Sequence, residues 1–473
     1  MSITDPPGRT RADACPGALQ VHAAADGGLA RIRIPGGALT AGQLRVVAAA
    51  ARELGSGVIE LTSRANLQVR GLPPQDGEPL PAVRPAPGDA RVPDDARRPS
   101  PASDLAVRLA AAGLLPSATH ELVRNIVASP LAGRAPASLL DVRPLVSRLD
   151  GELRARPVLA DLPGRFLFAL DDGSGDMAAL GADVTLLPVE PVDASVDDVS
   201  EVALLLAGAD RGLRAPVSSA VTGMLAVAEA FLAERAEQGS GAWRLAELTD
   251  GPGRVSARVL GTEPALRLSA PAVRRARTAG GGTVGVLAQR DGRSALTVLA
   301  ALGRLTAAQL EALARAAEHG GGEVRVTPWR TIVVPDLPPR EVDGRRAALA
   351  DAGLVGDPAS PWLGLTACVG RPGCAKALAD VHADVHAGVH ANGGTGSESG
   401  AGGPDGVRPP RSRTRALPVH WSGCERRCGR PRGQVVDVVA TGDGYRVEAD
   451  GVSRTFADAE QTSAAVAATR EGK

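Results

Sequence analysis

The stretch Leu39-Thr40-Ala41-Gly42-Gln43-Leu44 decides the fold, because it recurs as Leu305-Thr306-Ala307-Ala308-Gln309-Leu310. In both copies a threonine stands three residues before a glutamine, which is the capping-box arrangement at the start of a helix. Alanine-rich helices follow. We expect them to end near Gly55 and Gly320, where glycine can adopt the left-handed cap.

Strand-like stretches flank both predicted helices. Residues 29–34 and 295–300 precede the helices, while 58–62 and 324–327 follow them, and the first of the following stretches is expected to run on to Leu72. Two such strand–helix–strand units predict a duplicated α+β architecture, a sheet covered by helices. Chance similarity between alanine-rich helices is the alternative, and the shared caps and flanking strands argue against it.

Length and composition indicate a large, multidomain enzyme whose net charge creates no strong electrostatic field. A chain of 473 residues suggests about three or four domains. The net charge is zero, which excludes a field that attracts nucleic acid or membrane. The N-terminal residues lack an apolar signal-peptide core, and we expect no run of about eighteen apolar residues anywhere, so the sequence predicts a cytoplasmic protein.

Four of the five cysteines form two pairs, Cys368-x5-Cys374 and Cys424-x3-Cys428. Four thiolates on two loops suit a cubane [4Fe–4S] cluster, which takes one sulfur at each iron corner. A structural zinc site is the alternative, but the first pair is wider than the usual zinc spacing. A disulfide framework is disfavoured because nothing else in the chain indicates export.

Polar side chains alternate after the first repeat. Arg64, Asn66, Gln68 and Arg70 would share one face of a continuous strand, where two guanidiniums and two amides suit a polycarboxylate. From the pattern alone a solvent-facing polar edge is an equally good interpretation. In the second repeat the corresponding stretch contains Trp329 and Arg330, which could offer a flat surface and a carboxylate partner, or could simply pack.

Taken together, these motifs resemble the sulfite/nitrite reductase superfamily. The resemblance rests on the paired cysteines, the repeat and the stretch Leu61-Thr62-Ser63-Arg64-Ala65-Asn66-Leu67-Gln68-Val69-Arg70-Gly71. Cys15-Pro16-Gly17, the segment 165–173 and His420-Trp421-Ser422-Gly423-Cys424 are similar to the precorrin-3B synthases, the aerobic cobalamin-pathway monooxygenases of that superfamily. The resemblance favours substrate binding by the Arg64 face.

The resemblance implies a domain organisation. It predicts two ferredoxin-like half domains and two α/β domains that bind the cluster and the tetrapyrrole. The expected boundaries are a first half domain at 14–75, a Pro-rich linker at 76–116, a first reductase-like domain at 117–270, a second half domain at 271–340 and a cluster-binding domain at 341–473. Within the last, the Gly-rich insertion 391–406 is expected to be a mobile surface loop without a catalytic role.

The resemblance also implies the chemistry. Reductases of the superfamily bind their anion and sirohaem through arginines that match Arg64 and Arg124 here, with Asn125 adjacent, and through two lysines that correspond to Arg165 and Leu167. The missing lysine favours an oxygenase over a sulfite or nitrite reductase. The implied substrate is the tetrapyrrole precorrin-3A, hydroxylated at C20 by O2 with formation of a γ-lactone. The implied cofactors are the cluster and a mononuclear non-haem iron, with an electron donor as partner. Sirohaem is expected only if the reductase alternative holds.

Ligands of the second iron are not assigned by the sequence. His382, His386 and His390 recur every four residues and would line one helix face. A solvated stripe beside valines is favoured over a metal site. His420 and His22 are better placed to approach the site, and Cys15 is interpreted as a buried structural thiol.

Overall fold

The computed structural model describes residues 15–73, 101–189, 199–270, 282–393, 417–431 and 433–470. The chain divides into two compact units. Unit 1 comprises Met1–Ala23, Gly28–Ala300 and Arg304–Gly356, and unit 2 comprises Ala24–Gly27, Ala301–Gly303 and Asp357–Lys473. Most of the predicted Pro-rich linker and of the Gly-rich insertion lies outside the described residues. The predicted domain boundaries therefore stay predictions.

The strands are numbered in chain order. They are β1 (His22–Ala24), β2 (Gly27–Ile32), β3 (Ala38–Thr40), β4 (Val58–Leu61), β5 (Leu67–Leu72), β6 (Ile126–Ala128), β7 (Phe168–Leu170), β8 (Val184–Pro188), β9 (Glu201–Leu206), β10 (Leu213–Pro216), β11 (Arg267–Leu268), β12 (Gly285–Ala288), β13 (Ser294–Leu299), β14 (Arg304–Thr306), β15 (Glu323–Val326), β16 (Thr331–Leu337), β17 (Leu365–Ala367), β18 (Val419–Ser422), β19 (Val436–Ala440), β20 (Tyr445–Ala449) and β21 (Val452–Phe456).

The helices are numbered in the same way. They are α1 (Ala41–Leu54), α2 (Pro101–Ala111), α3 (Arg143–Arg154), α4 (Ala220–Glu237), α5 (Gly251–Thr262), α6 (Ala307–Glu318), α7 (Val342–Asp351), α8 (Val381–Gly393) and α9 (Ala459–Arg470). This mixture of helices and sheets confirms the predicted α+β class.

The two repeats form two five-stranded sheets that exchange a strand. The sheets have the orders β1-β2-β5-β4-β14 and β12-β13-β16-β15-β3. Strand β14 of the second repeat pairs with β4 of the first, and β3 of the first pairs with β15 of the second, both antiparallel. Helices α1 and α6 pack against each other over a single apolar core. The duplication predicted from the sequence is therefore confirmed.

The predicted capping boxes are present at both helices. The Thr40 hydroxyl accepts from the Gln43 amide at 3.2 Å, and the Thr306 hydroxyl accepts from the Gln309 amide at the same distance. The predicted left-handed glycine caps are wrong. Gly55 is the C-cap residue after α1 and has a φ of −129°. His319 is the C-cap residue after α6 and has a φ of −83°. Both helix ends are instead closed by backbone amides that bond carbonyls of the last turn.

The remainder of unit 1 is built on a six-stranded mixed sheet of order β11-β10-β9-β8-β7-β6. Strands β6, β7 and β8 are parallel, and β9 and β10 follow antiparallel. Helix α4 packs on this sheet and contributes Met224, Leu225 and Phe231 to its core. The segment Val217–Glu237 is long and apolar enough to cross a membrane, contrary to our expectation of no such run, but 56% of its apolar window is buried. It is the core helix of this layer.

Unit 2 carries a five-stranded sheet of order β17-β18-β19-β20-β21. The first two pairings are parallel, and β19 and β20 form an antiparallel hairpin. Helices α8 and α9 pack together and contribute Val385 and Val466 to an apolar core with Trp421. Cys368 and Cys424, one from each cysteine pair, follow closely after the ends of β17 and β18, so this sheet positions the two cysteine loops.

Candidate active site and cysteine centre

Arg64 lies at the tip of a hairpin rather than on a strand. Strands β4 and β5 are antiparallel, and Ala65 reverses the chain between them with a left-handed φ of 54°. The Thr62 hydroxyl accepts from the backbone amides of Arg64 and Asn66 at 3.3 and 3.0 Å. The expectation of one strand running to Leu72, with four polar residues on one face, is therefore wrong.

Three of the predicted site residues nevertheless meet at this hairpin. The Asn66 amide donates to Asn125 Oδ1 at 3.1 Å, and the Asn125 amide donates to the Gly164 carbonyl at 2.7 Å. Arg64 donates to the same Gly164 carbonyl at 3.3 Å, and the Ile34 amide donates to Asn66 Oδ1 at 3.0 Å. Asn66 and Asn125 are both buried. Their amides hold the hairpin in place, so their role here is to position Arg64.

Gln68 and Arg70 share one face of β5, as predicted for that part of the stretch. Glu60 accepts from Gln68 at 3.2 Å and lies 3.6 Å from an Arg70 nitrogen. Glu60 also pairs with Arg304 at 3.0 Å. A protein carboxylate already occupies this face, which weakens its interpretation as a surface for a substrate carboxylate.

Arg124 is engaged within the fold. Its side chain is buried and forms a bidentate pair with Asp150, with nitrogen–oxygen distances of 2.6 and 3.1 Å. Breaking such a buried pair would leave an uncompensated charge, so the guanidinium is poorly suited to a second carboxylate. The structure gives Arg124 a structural contact instead of the predicted anion contact.

Arg165 and Leu167 point to different environments. Arg165 is exposed, and its guanidinium stacks over Trp243 at 4.8 Å from the ring centroid. Leu167 is only 5% exposed and belongs to the apolar core of unit 1. Neither an anion nor a proton can be delivered by the leucine.

The second repeat builds its turn from Trp329 and Arg330, both half-buried. Arg330 has a left-handed φ of 63° and its amide donates to the Thr327 carbonyl at 3.2 Å. Burial lowers the pKa of Arg330, and the charge of Glu60 acts in the opposite direction. Arg330 is therefore a half-buried cation at the turn, and Glu60 is the carboxylate whose charge acts on it.

Arg33 was missed by the sequence reasoning and is the most unusual cation of unit 1. It is 3% exposed, and its Nη1 and Nη2 atoms find no hydrogen-bond acceptor within the part of the chain that the structure describes. Its Nε donates to the Leu122 carbonyl at 3.3 Å. Burial first, and then repulsion by Arg31, lower the pKa of Arg33 to about 9, while Cys15 raises it and Arg64 lowers it further.

Arg64 belongs to the same cluster of positive charge. Burial and the neighbouring Arg244 lower the pKa of Arg64 to about 10. Buried cations that repel each other are costly unless an anion compensates them. Arg31, Arg33 and Arg64 are named here the arginine cluster; Arg33 is buried, Arg31 and Arg64 are half-buried, and the Glu121 carboxylate raises the pKa of Arg33. The alternation Arg31-Ile32-Arg33 was the signal available in the sequence, but an ordinary half-exposed strand gives the same pattern.

In unit 2 the parallel pair β17–β18 brings the cysteine loops together. Ala367 lies opposite Trp421, so Cys368 and Cys424 follow the same edge of the sheet. The Cys368 amide donates to the Trp421 carbonyl at 2.8 Å, and the Gly423 amide donates to Cys368 Sγ at 3.1 Å. A side chain at Gly423 would meet the Ala377 side chain at 2.7 Å, which explains the glycine before Cys424.

The Cys368 thiol is half-buried beside backbone amides and two further cysteines. Burial raises the pKa of Cys368, amides of Gly423 and Gly370 lower it, and the nearby Cys428 and Cys424 raise it. A cubane takes one thiolate at each iron corner, so the [4Fe–4S] site on these four cysteines stays a prediction from the sequence.

The histidine stripe on α8 is divided. His386 and His390 are exposed and stack near Trp362, as expected for a solvated stripe. His382 is only 7% exposed, so the expectation is wrong for that residue. Its ring lies against the backbone of Cys368, and the buried His420 lies against that of Cys428. His22 is exposed on β1 of unit 1.

Within the described residues, one group of three metal-ligating side chains is close enough to bind a single metal ion, and it is an acidic cluster. It consists of Asp171, Asp172 and Asp176. Asp171 accepts from the amides of Gly173, Gly175, Met177 and Ala178. Its oxygens are thus used to shape the loop after β7, and no ligand set for a mononuclear iron emerges from this group.

Comparison with known proteins shows what the two repeats resemble. The model of the nitrite/sulfite reductase ferredoxin-like half domain matches residues 22–82 and 287–352, which include both repeats. The structure is similar to that of the Mycobacterium tuberculosis NirA protein, with a TM-score of 0.67 and 19% identity over 92% of this chain and 79% of that one. At this identity the likeness concerns the fold. The chain therefore contains two nitrite/sulfite reductase ferredoxin-like half domains in a fold similar to that of NirA.

The chain resembles a particular enzyme over nearly its whole length. It is 26% identical to the precorrin-3B synthase of Sinorhizobium sp., over 94% of this chain and 84% of that protein. It is 27% identical to the ferredoxin–nitrite reductase of Synechococcus elongatus, over 89% of this chain and 78% of that protein. Both are oxidoreductases, and the chain is an enzyme of that broad class. The family indicates an iron–sulfur cluster as cofactor.

Proposed function

We propose that the chain is a cytoplasmic, O2-dependent monooxygenase that converts precorrin-3A to precorrin-3B. The reaction hydroxylates C20 and closes a γ-lactone from the ring A acetate. One oxygen atom enters the substrate, and the other leaves as water with two electrons and two protons from a donor. Similarity to the precorrin-3B synthase of Sinorhizobium sp. supports this proposal.

Leu167 is the observation that carries the choice of reaction. Reduction of sulfite or nitrite requires cations and proton donors around the anion, and the resemblance gives the reductases a lysine here. Leu167 is instead buried in the apolar core. It can neither bind an oxyanion nor hold a proton. A hydroxylation that takes its oxygen from O2 does not require that lysine.

The arginine cluster supports a polycarboxylate substrate. Precorrin-3A carries acetate and propionate groups, and guanidinium groups bind carboxylates bidentately. Arg33 has two buried nitrogens for which the described residues supply no acceptor, and Arg31 and Arg64 add positive charge around it. A carboxylate in this position would compensate the cluster and orient the macrocycle. Asn66 and Asn125 would hold Arg64 in place through the Gly164 carbonyl.

Cys368, Cys374, Cys424 and Cys428 are the residues that would hold a [4Fe–4S] cluster. When bound, such a cluster supplies electrons singly. The mononuclear iron remains part of the proposal without assigned ligands, because the acidic cluster in the described part of the chain is engaged by backbone amides. The electron donor is proposed only as a class, a one-electron reductant such as the ferredoxin named for the related nitrite reductase.

The test is product analysis with isotopically labelled oxygen. The full chain, purified and reconstituted without oxygen, is given precorrin-3A, a reductant and then ¹⁸O2. We expect a product that carries one labelled oxygen atom and a lactone, identified by mass spectrometry. Absence of product despite a fully loaded cluster would contradict the oxygenase proposal.

A sirohaem-dependent sulfite or nitrite reductase is the second candidate, favoured by the similarity to the Synechococcus elongatus enzyme. Visible spectroscopy separates the two, because sirohaem gives strong bands and a cluster gives a broad absorption. Tightly bound sirohaem together with nitrite reduction would replace the first proposal. Iron analysis adds a second criterion: four irons per chain would indicate the cluster alone, and a fifth iron in a chain without sirohaem bands would support the mononuclear iron.

A further inference from the structure

Two buried histidines contact the backbone of two candidate cluster cysteines in unit 2. His382 Nε2 on α8 lies 3.0 Å from the carbonyl oxygen of Cys368. His420 Nε2 on β18 lies 3.1 Å from the carbonyl oxygen of Cys428. Their exposed fractions are 7% and 0%. Because a carbonyl only accepts hydrogen bonds, each Nε2 must carry the proton and donate it.

The two contacts fall on different cysteine pairs. Cys368 is the first cysteine of the first pair, and Cys428 is the last of the second pair. The histidines come from different elements, a helix and a strand, so the two cysteine loops are braced from two directions. Thr366 on β17 adds a further constraint, because its hydroxyl lies 2.9 Å from His420 Nδ1 and helps to fix the ring orientation.

Other histidines of α8 provide a comparison within the same helix. His386 lies one turn after His382, is exposed and stacks on Trp362 with ring centroids 4.7 Å apart. It contacts the Trp362 ring, whereas His382 contacts a cysteine carbonyl. The difference shows that the four-residue histidine spacing does not by itself create the contact. Burial beside the cysteine loop does.

We propose that His382 and His420 are positioning residues for the iron–sulfur cluster. Each donates a hydrogen bond to the carbonyl of a cysteine and so fixes the backbone that aims its thiolate. Outer-shell partners of this kind typically change metal affinity by about 10- to 100-fold when removed. The inference rests on the cluster assignment within the proposed function and is independent of the oxygenase reaction.

Exchange of each histidine for phenylalanine and for glutamine tests the proposal. Phenylalanine keeps a ring of similar size but removes the donor. Glutamine loses the ring but can place an amide N–H near the position of Nε2. The full chain of each variant is reconstituted without oxygen. Release of iron to a chelator and the electron paramagnetic resonance spectrum of the reduced cluster are then measured.

The variants should differ in a definite order in how fast they release iron. His382→Phe and His420→Phe should release iron about 10- to 100-fold faster than the unmodified chain and show altered spectra. His382→Gln and His420→Gln should recover much of the retention. The matched controls His386→Phe and His386→Gln should behave like the unmodified chain. If His420→Phe does not fold, by circular dichroism of the metal-free chain, the His382 variants and His420→Gln decide.

Two results would overturn the proposal. If the phenylalanine variants retain the cluster and its spectrum while the glutamine variants lose it, the histidines serve packing rather than hydrogen bonding. If the unmodified chain binds no cluster, the cluster assignment fails, and the proposed role of the histidines fails together with that assignment. Failure of the oxygenase reaction in a chain with a normal, histidine-dependent cluster would leave this inference standing, so the two failures are distinguishable.

Discussion

The two half domains build the same turn from different residues. In the first, the Thr62 amide donates to the Asn66 carbonyl at 3.0 Å, and Ala65 has a φ of 54°. In the second, the Thr327 amide donates to the Thr331 carbonyl at 3.0 Å, and Arg330 has a φ of 63°. The two turns therefore have the same backbone conformation, including a left-handed residue that is not glycine in either copy.

The chemistry of the two copies is not duplicated. Strand pairing places Ile32 opposite Leu67 and Val298 opposite Ile332, so Arg33 corresponds to Leu299. The first copy thus has a buried cation where the second has a leucine that is 8% exposed. The comparison teaches that the two copies keep the same turn geometry while their charges differ, and we propose that the arginine cluster of the first copy serves a ligand. The following substitutions test that distinction.

The largest effect is expected from placing the charge in the second copy. Leu299→Arg would bury a cation without the surroundings of the arginine cluster. The free energy of unfolding should fall by about 3 kcal/mol, because an uncompensated buried charge typically costs 3–5 kcal/mol. Urea unfolding measures it, with Leu299→Met as the volume-conserving control. A change below about 1 kcal/mol would mean that this position in the second copy also tolerates a cation.

The reverse exchange removes the charge from the first copy. Arg33→Leu should weaken binding of precorrin-3A about 10- to 100-fold, because hydrogen bonds to charged groups contribute about 1.5–3 kcal/mol. Stability should be unchanged or higher, since a buried cation is removed whose two Nη atoms find no acceptor among the described residues, at the cost of one long bond to the Leu122 carbonyl. Absorbance titration under anaerobic conditions measures the affinity. Arg52→Leu, at an exposed position of the same half domain, is the control, and equal affinity in both variants would count against the arginine cluster as the substrate site.

The helix caps should respond equally in the two copies. Thr40→Ala and Thr306→Ala each remove the hydroxyl that accepts the first-turn amide at 3.2 Å. Each should lower the free energy of unfolding by about 1 kcal/mol. Denaturant unfolding of both variants and of the double variant measures the loss. Strongly unequal losses would show that the copies differ in stability as well as in charge.

The smallest effect is expected at the shared turn. Ala65 holds a left-handed conformation that disfavours a side chain, so Ala65→Gly relieves strain but loosens the unfolded chain. The net gain in stability should be at most about 1 kcal/mol. Thermal unfolding measures it, with Ala51→Gly in the interior of α1 as a control that should lose stability. A loss at Ala65 would indicate that its methyl group matters for packing.

Sequence reasoning succeeded where the signal is local. Thr40 and Gln43 are three residues apart, and their capping box follows from that spacing alone. The pairing of the four cysteines also comes from local spacing, and the metal centre that it predicts stays a prediction. By contrast, Arg124 finds Asp150 from 26 residues away, and Glu60 meets Arg304 from across the duplicated domain. Such pairings depend on tertiary packing, so residue types alone could not distinguish a structural arginine from an anion-binding one.

Arg33 illustrates the opposite failure. Its sequence neighbours suggest a half-exposed strand residue, and only the assembled sheet buries its Nη1 and Nη2 atoms away from every acceptor that the described residues offer. The left-handed conformation of Ala65 was also unpredictable, because alanine, unlike glycine, disfavours a positive φ. Its consequence was the loss of the expected four-residue binding face.

The exchanged strands bear on how such a chain could arise. Each half domain completes its neighbour's sheet, β3 on β15 and β14 on β4. A molecule with only one half domain would leave one strand unpaired and one sheet edge open, and a second molecule of the same kind would satisfy both. Joining two such molecules in one chain makes the partnership permanent and relieves the copies of the need to be identical. One copy can then carry a buried arginine at position 33 while the other has Leu299 at the matching place, so the symmetric exchange of strands permits a difference in chemistry between the two copies.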